Sequence, residues 1–185
     1  MSASAPLPTR MTAEAFILWA TQQLEGSRYE LIGGEIHGTA PEQVGHARGK
    51  FRVARRLADV IDVSQLPCEA LIDGVPVRVD VDTVYEPDVL VQCGAPLDDD
   101  VTIITDPVIV VEVVSPSSHK RDSGRKLADC FRIPSVRHYL VIKANDKTAI
   151  HHRRDDSGDI ATHIIRSGTL RLDPPGLEVT GLFDE

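Results

Sequence analysis

Two carboxylates stand where carboxylates are rare. Glu112 interrupts the run Val110-Val111-Glu112-Val113-Val114, which is otherwise apolar enough to read as a central strand buried on both faces. A charge in such a strand is costly unless it is paired, protonated or bound to a cation. Asp88 follows Pro87 and opens a second apolar run, Val89-Leu90-Val91. If these two strands lie side by side, Asp88 and Glu112 converge at one edge of a sheet. Two hard oxygen donors suit Mg²⁺ or Mn²⁺, with water and a substrate phosphate completing the shell. The alternative for Glu112 is an ion pair with an arginine at the strand's end.

Asp122 and Lys126 are four residues apart and share one face of the helix expected next. They form either a surface pair or a route by which an ammonium returns to the carboxylates, orienting a nucleophilic water or neutralising developing phosphate charge. Ser115 caps the turn after the Glu112 strand or braces Glu112. It lies in no G-x-S-x-G elbow, which argues against a serine hydrolase. His46, at the head of an earlier helix, either meets the site or is structural. Arg121, Arg125, Arg132 and Arg137 flank the proposed site as candidates for contacts to a phosphate backbone. The run His151-His152-Arg153-Arg154 reads as an exposed strand end, and Asp98-Asp99-Asp100 as a solvated hairpin tip.

These residues need elements to hold them. Thr12 is a suitable N-cap for a helix over about 13–25, whose Phe16, Ile17, Trp19, Ala20 and Leu24 face a core. A hairpin follows, with strands near 28–32 and 35–37 turning at Gly33-Gly34. From about 43 to 61, Val44, Ala47, Phe51, Ala54, Leu57, Ala58 and Ile61 recur at helical spacing. Arg48, Lys50, Arg52, Arg55 and Arg56 supply the solvated face of that helix. Strands are expected at 66–72, 75–79, 88–92 and 107–114, then a helix over about 120–132 carrying Leu127, Ala128 and Phe131 inward. A strand at 136–142 and short strands near 147–153, 159–166 and 169–171 complete the chain. Residues 1–11 read as a loose tail and 12–185 as one domain.

With 185 residues, 42% hydrophobic and 26% charged, the chain has ordinary globular composition. No stretch approaches the length needed to span a bilayer, and the start does not resemble a signal peptide. Cys68, Cys93 and Cys130 are odd in number and form no C-x-x-C pair, which points to reduced packing thiols and a cytoplasmic location. The net charge of −8 argues against a protein that coats nucleic acid nonspecifically, although it leaves room for a local basic groove. Acidic residues concentrate in 80–100 and basic ones in 119–154.

Taken together, Pro87-Asp88, Glu112 within V-E-V-V-S-P-S, Asp122, Gly124 and Lys126, and Tyr139 within H-Y-L-V-I resemble the PD-(D/E)xK nuclease superfamily. More narrowly they resemble the bacterial restriction-endonuclease family called Uma2-like. The likeness extends to Tyr29-Glu30-Leu31-Ile32 with Gly34-Glu35, and to His46, and covers nearly the whole chain from residue 12. It implies an α/β (α+β) fold with a restriction-endonuclease-like core: a mixed sheet flanked by helices, extended by the N-terminal helix and hairpin. Asp88 and Glu112 would be metal ligands, Val113 would add its main-chain carbonyl, and Glu30 would be a further acid. The chain departs from the standard motif at Val114, where the superfamily has lysine; the resembling family carries a lysine on the next helix, and Lys126 matches it. Leu140, Lys143 and Pro134-Ser135 also depart, without touching the expected ligands.

The expectation is therefore an Mg²⁺- or Mn²⁺-dependent endonuclease acting on DNA, with Lys126 orienting the water. Symmetric cleavage of duplex DNA would favour a homodimer, and no membrane association is expected. The alternative is a weakly active or inactive nuclease fold serving as a binding or regulatory module, favoured by the negative charge and by Val114.

Overall fold

The computed structural model describes residues 10–24, 27–114 and 123–183. Chain order gives α1 (Ala13–Ala20), β1 (Tyr29–Ile32), β2 (Glu35–Gly38), α2 (Val44–Ser64), β3 (Cys68–Ile72), β4 (Val77–Arg78), β5 (Val84–Tyr85), β6 (Val89–Cys93) and β7 (Ile109–Val113). There follow α3 (Ser123–Cys130), β8 (His138–Lys143), β9 (Thr148–Arg154), β10 (Ile160–Ile165), β11 (Thr169–Leu172) and β12 (Leu177–Thr180).

Six strands form the central sheet in the order β10-β9-β8-β7-β6-β3. Only β7 and β8 run parallel. A parallel pair needs a crossover, and the segment containing α3 supplies it. The expectation for the Glu112 strand is met: β7 lies inside the sheet, with Ile109, Val110 and Val111 fully buried. Side chains alternate, so Ile109, Val111 and Val113 pack with Val53, Leu57 and Ile61 of α2, while Val110 packs on the opposite face with Tyr139, Cys130 and Tyr85. By the same alternation Glu112 belongs to the face covered by α3.

Several expectations are corrected. The N-terminal hairpin does not extend the central sheet; it builds a four-stranded sheet of its own, β2-β1-β5-β4, in which Leu31 pairs with Val84. The two-residue β5 and the last hairpin strand, β12, were not anticipated. The helix expected over 13–25 ends at Ala20, although Thr12 does cap it by accepting from the Ala15 N–H. Most of the expected tail lies outside the described residues, but Met11 is buried and its N–H donates to the Gly34 carbonyl.

On α2 the inward face is Gly49, Lys50, Val53, Leu57 and Ile61, whereas Val44 and Phe51 are exposed. The periodicity was placed about one residue out of phase, because Gly49 and Lys50 do not register as core types. On α3, Lys126 and Cys130 are buried and Ala128 is exposed. Cys68 and Cys93 are not reduced packing thiols. They are directly opposed in the antiparallel β3–β6 register and joined as a disulfide, a proximity that pairing creates and spacing conceals. Cys130 is free and buried.

The basic run at the end of β9 is structural. His151 is buried and hydrogen-bonded to His138. The Arg154 guanidinium donates to the carbonyls of Phe131, Ile133 and Pro134, capping the C-terminal end of the α3 segment. Among the described residues, no helix is long and apolar enough to cross a membrane.

Candidate active site

The β6–β7 register pairs Val89 with Val111 and Leu90 with Val110, so one further step places Asp88 opposite Glu112. The two carboxylates therefore meet at one end of adjacent central strands. Asp88 is held in place by its neighbour strand: its Oδ2 accepts from the Val113 N–H at 2.7 Å. Glu112 retains 19% side-chain exposure and lines a cleft with Glu30, His46, Asp88, Lys126 and Tyr139.

Lys126 reaches this cleft from α3. Its ammonium lies 2.7 Å from Glu112 Oε1 and donates to Glu30 Oε1 at 2.8 Å and to the Glu86 carbonyl at 3.2 Å. Glu30 in turn accepts from the Glu86 N–H. Thus β1, the turn before β6, β7 and α3 all converge on one buried ammonium. Of the two readings of Lys126, the structure selects the one in which it returns to the carboxylates. Glu112 pairs with this lysine, not with an arginine.

Burial disfavours the charge on Lys126, yet Glu112 and Glu30 outweigh it and raise its pKa, so it is a permanent cation. Burial pushes Glu112 up to about 7, with Lys126 opposing and the Asp88 and Glu30 charges adding.

His46 comes from the opposite side of the sheet, at the start of α2. Its Nε2 donates to the Val113 carbonyl at 2.5 Å and lies 3.3 Å from Asp88 Oδ2, while Nδ1 donates to Glu42. The bond to Asp88 pushes His46 up to about 9 against the effect of burial. The helix can come this close because residue 49 is glycine: a Cβ there would sit 3.0 Å from the Val113 Cγ1.

Five contributors carry no functional signal in the sequence. Lys50, assigned there to a solvated face, is 1% exposed, bonds Asp73 and Glu42, and lies 4.0 Å from Asp88 Oδ1. Arg28 bonds both Glu86 and Asp73. Glu42, Asp73 and Glu86 sit in loops and carried no signal beyond their charge. The lysine's only hint was its place one turn after His46.

Other candidates are distributed differently. Tyr139 is buried and its hydroxyl has no hydrogen-bond partner among the described residues. Ser115, Arg121 and Asp122 lie outside the described residues. Arg125 is 57% exposed beside Asp129. Arg132 pairs with Asp80 and Arg137 with Asp156, and neither lines the cleft.

The donor set fits a hard divalent ion. Asp88, Glu112 and the Val113 carbonyl are oxygen donors gathered at one strand end, and a charged imidazole already lies against two of them. Among the described residues no group of three or more His, Cys, Asp or Glu side chains could by itself hold a metal ion.

Comparisons with known proteins agree with this geometry. A family model described as "Putative restriction endonuclease", Uma2, matches residues 13–182. An uncharacterized protein of Synechocystis sp., slr1290, is 26% identical over 178 residues, covering 95% of this chain and 91% of that protein. The crystal structure of a protein from Anabaena variabilis, described as a putative nuclease belonging to DUF820, superposes with a TM-score of 0.71. At 16% identity it covers 94% of this chain and 97% of that one, and so shares the fold. The central strands, the crossover and the carboxylates at their ends all fall within the matched span: this chain belongs to the Uma2 family of restriction-endonuclease-like proteins.

Proposed function

We propose that the protein is a metal-dependent DNA endonuclease that hydrolyses phosphodiester bonds. The observation that carries the proposal is the convergence of Asp88, Glu112 and the Val113 carbonyl beside the Lys126 ammonium at one end of the central sheet. Asp88, Glu112 and Val113 would hold Mg²⁺ or Mn²⁺. The bound ion would supply Lewis acidity and lower the pKa of a coordinated water. Lys126 stays charged, so it acts as a donor and not as a base: it orients the attacking water and offsets charge gathering on the phosphate. Glu30 anchors that ammonium, and His46 bridges Asp88 to the Val113 carbonyl. Arg125, exposed near the start of α3, would contact the phosphate backbone, and a homodimer would serve cleavage of both strands.

The test is nicking of supercoiled plasmid with Mg²⁺ or Mn²⁺. Wild-type protein should nick. Asp88→Ala and Lys126→Gln should each lose at least ~100-fold in rate while retaining a cooperative melt, a loss of the size expected for groups that stabilise transition-state charge. Activity that survives Asp88→Ala places the chemistry elsewhere. A second reading, a nuclease fold used for binding, is favoured by one observation: Lys126 is already committed to both Glu30 and Glu112. Metal binding without nicking of any substrate would select it.

A further inference from the structure

We propose that β10 is the seam of a symmetric homodimer, pairing antiparallel with β10 of a second copy about a two-fold axis at Thr162. β10 closes one end of the central sheet, so among the described residues its outer edge has no strand beside it. Native edges are usually blunted by lysine, proline, a bulge or an inward-pointing charge. Ile160–Ile165 reads Ile-Ala-Thr-His-Ile-Ile, with no Lys, Arg, Asp, Glu or Pro, and its register with β9 runs unbroken from end to end.

Which backbone groups of β10 are free follows from the hairpin that carries it. The Asp155 N–H donates to the Asp159 carbonyl at 2.9 Å, and bonded pairs recur at every second residue of an antiparallel ladder. Ala161, His163 and Ile165 therefore direct their N–H and C=O groups to β9, and Ile160, Thr162 and Ile164 direct theirs outward. The Arg154 N–H, turned to the Arg137 carbonyl on the β8 side, fixes the same phase. The side chains of the three outward-bonding residues share one face. It is the face of Tyr139, because Thr162 stands opposite His152 and His152 opposite Tyr139. On that face Ile160 is 42% and Ile164 66% exposed. With the axis at Thr162, Ile160 meets Ile164 of the second copy, and Ile164 meets its Ile160. Each such pair exchanges N–H···O=C bonds while the isoleucine side chains of both copies cover one another. One phase thus serves the free backbone and the exposed apolar residues together, and it is its own complement, which favours a second copy over an unrelated strand. β8 and β9 separate β10 from β7, so the seam leaves both clefts open and is independent of the chemistry performed there.

Sedimentation velocity on the full chain, from micromolar to sub-millimolar concentration, tests the seam. A single strand pair is a small interface, so wild type should pass from monomer to dimer within that range. Thr162→Lys sets like charges directly across the axis and should stay monomeric throughout, as should Thr162→Glu. An equimolar mixture of the two variants should recover the dimer, because lysine then meets glutamate. Thr162 is exposed, so both variants should melt like wild type in dilute solution. Amide hydrogen exchange gives a readout that needs no variant. The N–H groups of Ile160, Thr162 and Ile164 should gain protection severalfold with concentration, while those of Ala161 and His163, bonded to β9, stay protected at every concentration. Wild type that remains monomeric overturns the proposal, as does a dimer that persists in Thr162→Lys or a mixture that stays monomeric. If the variants do not fold, exchange decides: outward amides whose protection does not change with concentration overturn the seam.

Discussion

Tyr139 shows how tightly the site's chemistry and the core are interleaved. Its ring belongs to the cluster with Val110, Cys130 and Tyr85, whereas its hydroxyl reaches the cleft without a partner among the described residues. A buried hydroxyl with no partner costs about 1–3 kcal/mol. Tyr139→Phe is therefore expected to raise unfolding free energy by about 1 kcal/mol in denaturant titration; a loss of stability would show that the hydroxyl is satisfied. At this scale the sequence revealed what violates a pattern. Glu112 was conspicuous because valines surround it, and Asp88 because a strand opens directly behind it. Lys126 needed the resemblance to distinguish it from a surface pair. Lys50 was invisible, since one lysine among Arg48, Arg52, Arg55 and Arg56 looks like any other charge on a wet helix. What buries it is the approach of α2 to the end of β7, a tertiary fact with no local signature.

At the scale of elements, α2 acts as the lever that positions both His46 and Lys50. Its seat against β7 depends on Gly49, whose missing side chain leaves room for Val113. Gly49→Val would force branched methyls into that contact, and overpacking of this kind costs about 1–3 kcal/mol. Thermal melts should show the loss, and metal affinity should fall with it, because the helix carries its site residues away together. Full stability in Gly49→Val would mean that α2 is free to shift. The strands were largely legible because short apolar runs bounded by Gly, Pro and Asp determine them locally. The pairing was not: that β1 and β2 join β5 and not the central sheet, and that Cys68 meets Cys93, depends on partners distant in sequence.

For the whole molecule, a buried histidine pair sets the acid limit. His138 donates from Nε2 to the Pro174 carbonyl and accepts through Nδ1 from His151 Nε2, so both rings are neutral in this network. Burial depresses His138 to about 4 and His151 to about 3, with His138 itself and nearby cations contributing to the latter. The unfolded chain binds these protons near pH 6.5, before the folded one can. The pair's own contribution to stability is therefore complete above pH 6.5 and declines as pH falls toward 4, by roughly 3 kcal/mol from His138 alone, whereas Glu112 and His46, whose pKa values are raised in the fold, contribute in the opposite sense. Denaturant midpoints measured from pH 7.5 to 4.5 should fall accordingly, and more shallowly in His151→Gln. Identical profiles in wild type and His151→Gln would show that the pair does not resist protonation.

The bond between Lys126 and Glu30 spans 96 residues of sequence, and Lys50 reaches Asp73 and Asp88 across 23 and 38. Closing such long loops is entropically slow, and little is gained until most strands have paired. The cleft should thus be a late event in refolding, so that recovery of metal binding after dilution from denaturant lags recovery of helical signal. Truncation from either end, by removing Glu30 or by unseating α3, should abolish the cleft outright instead of leaving a partial one. The site thereby reports on the integrity of the whole chain.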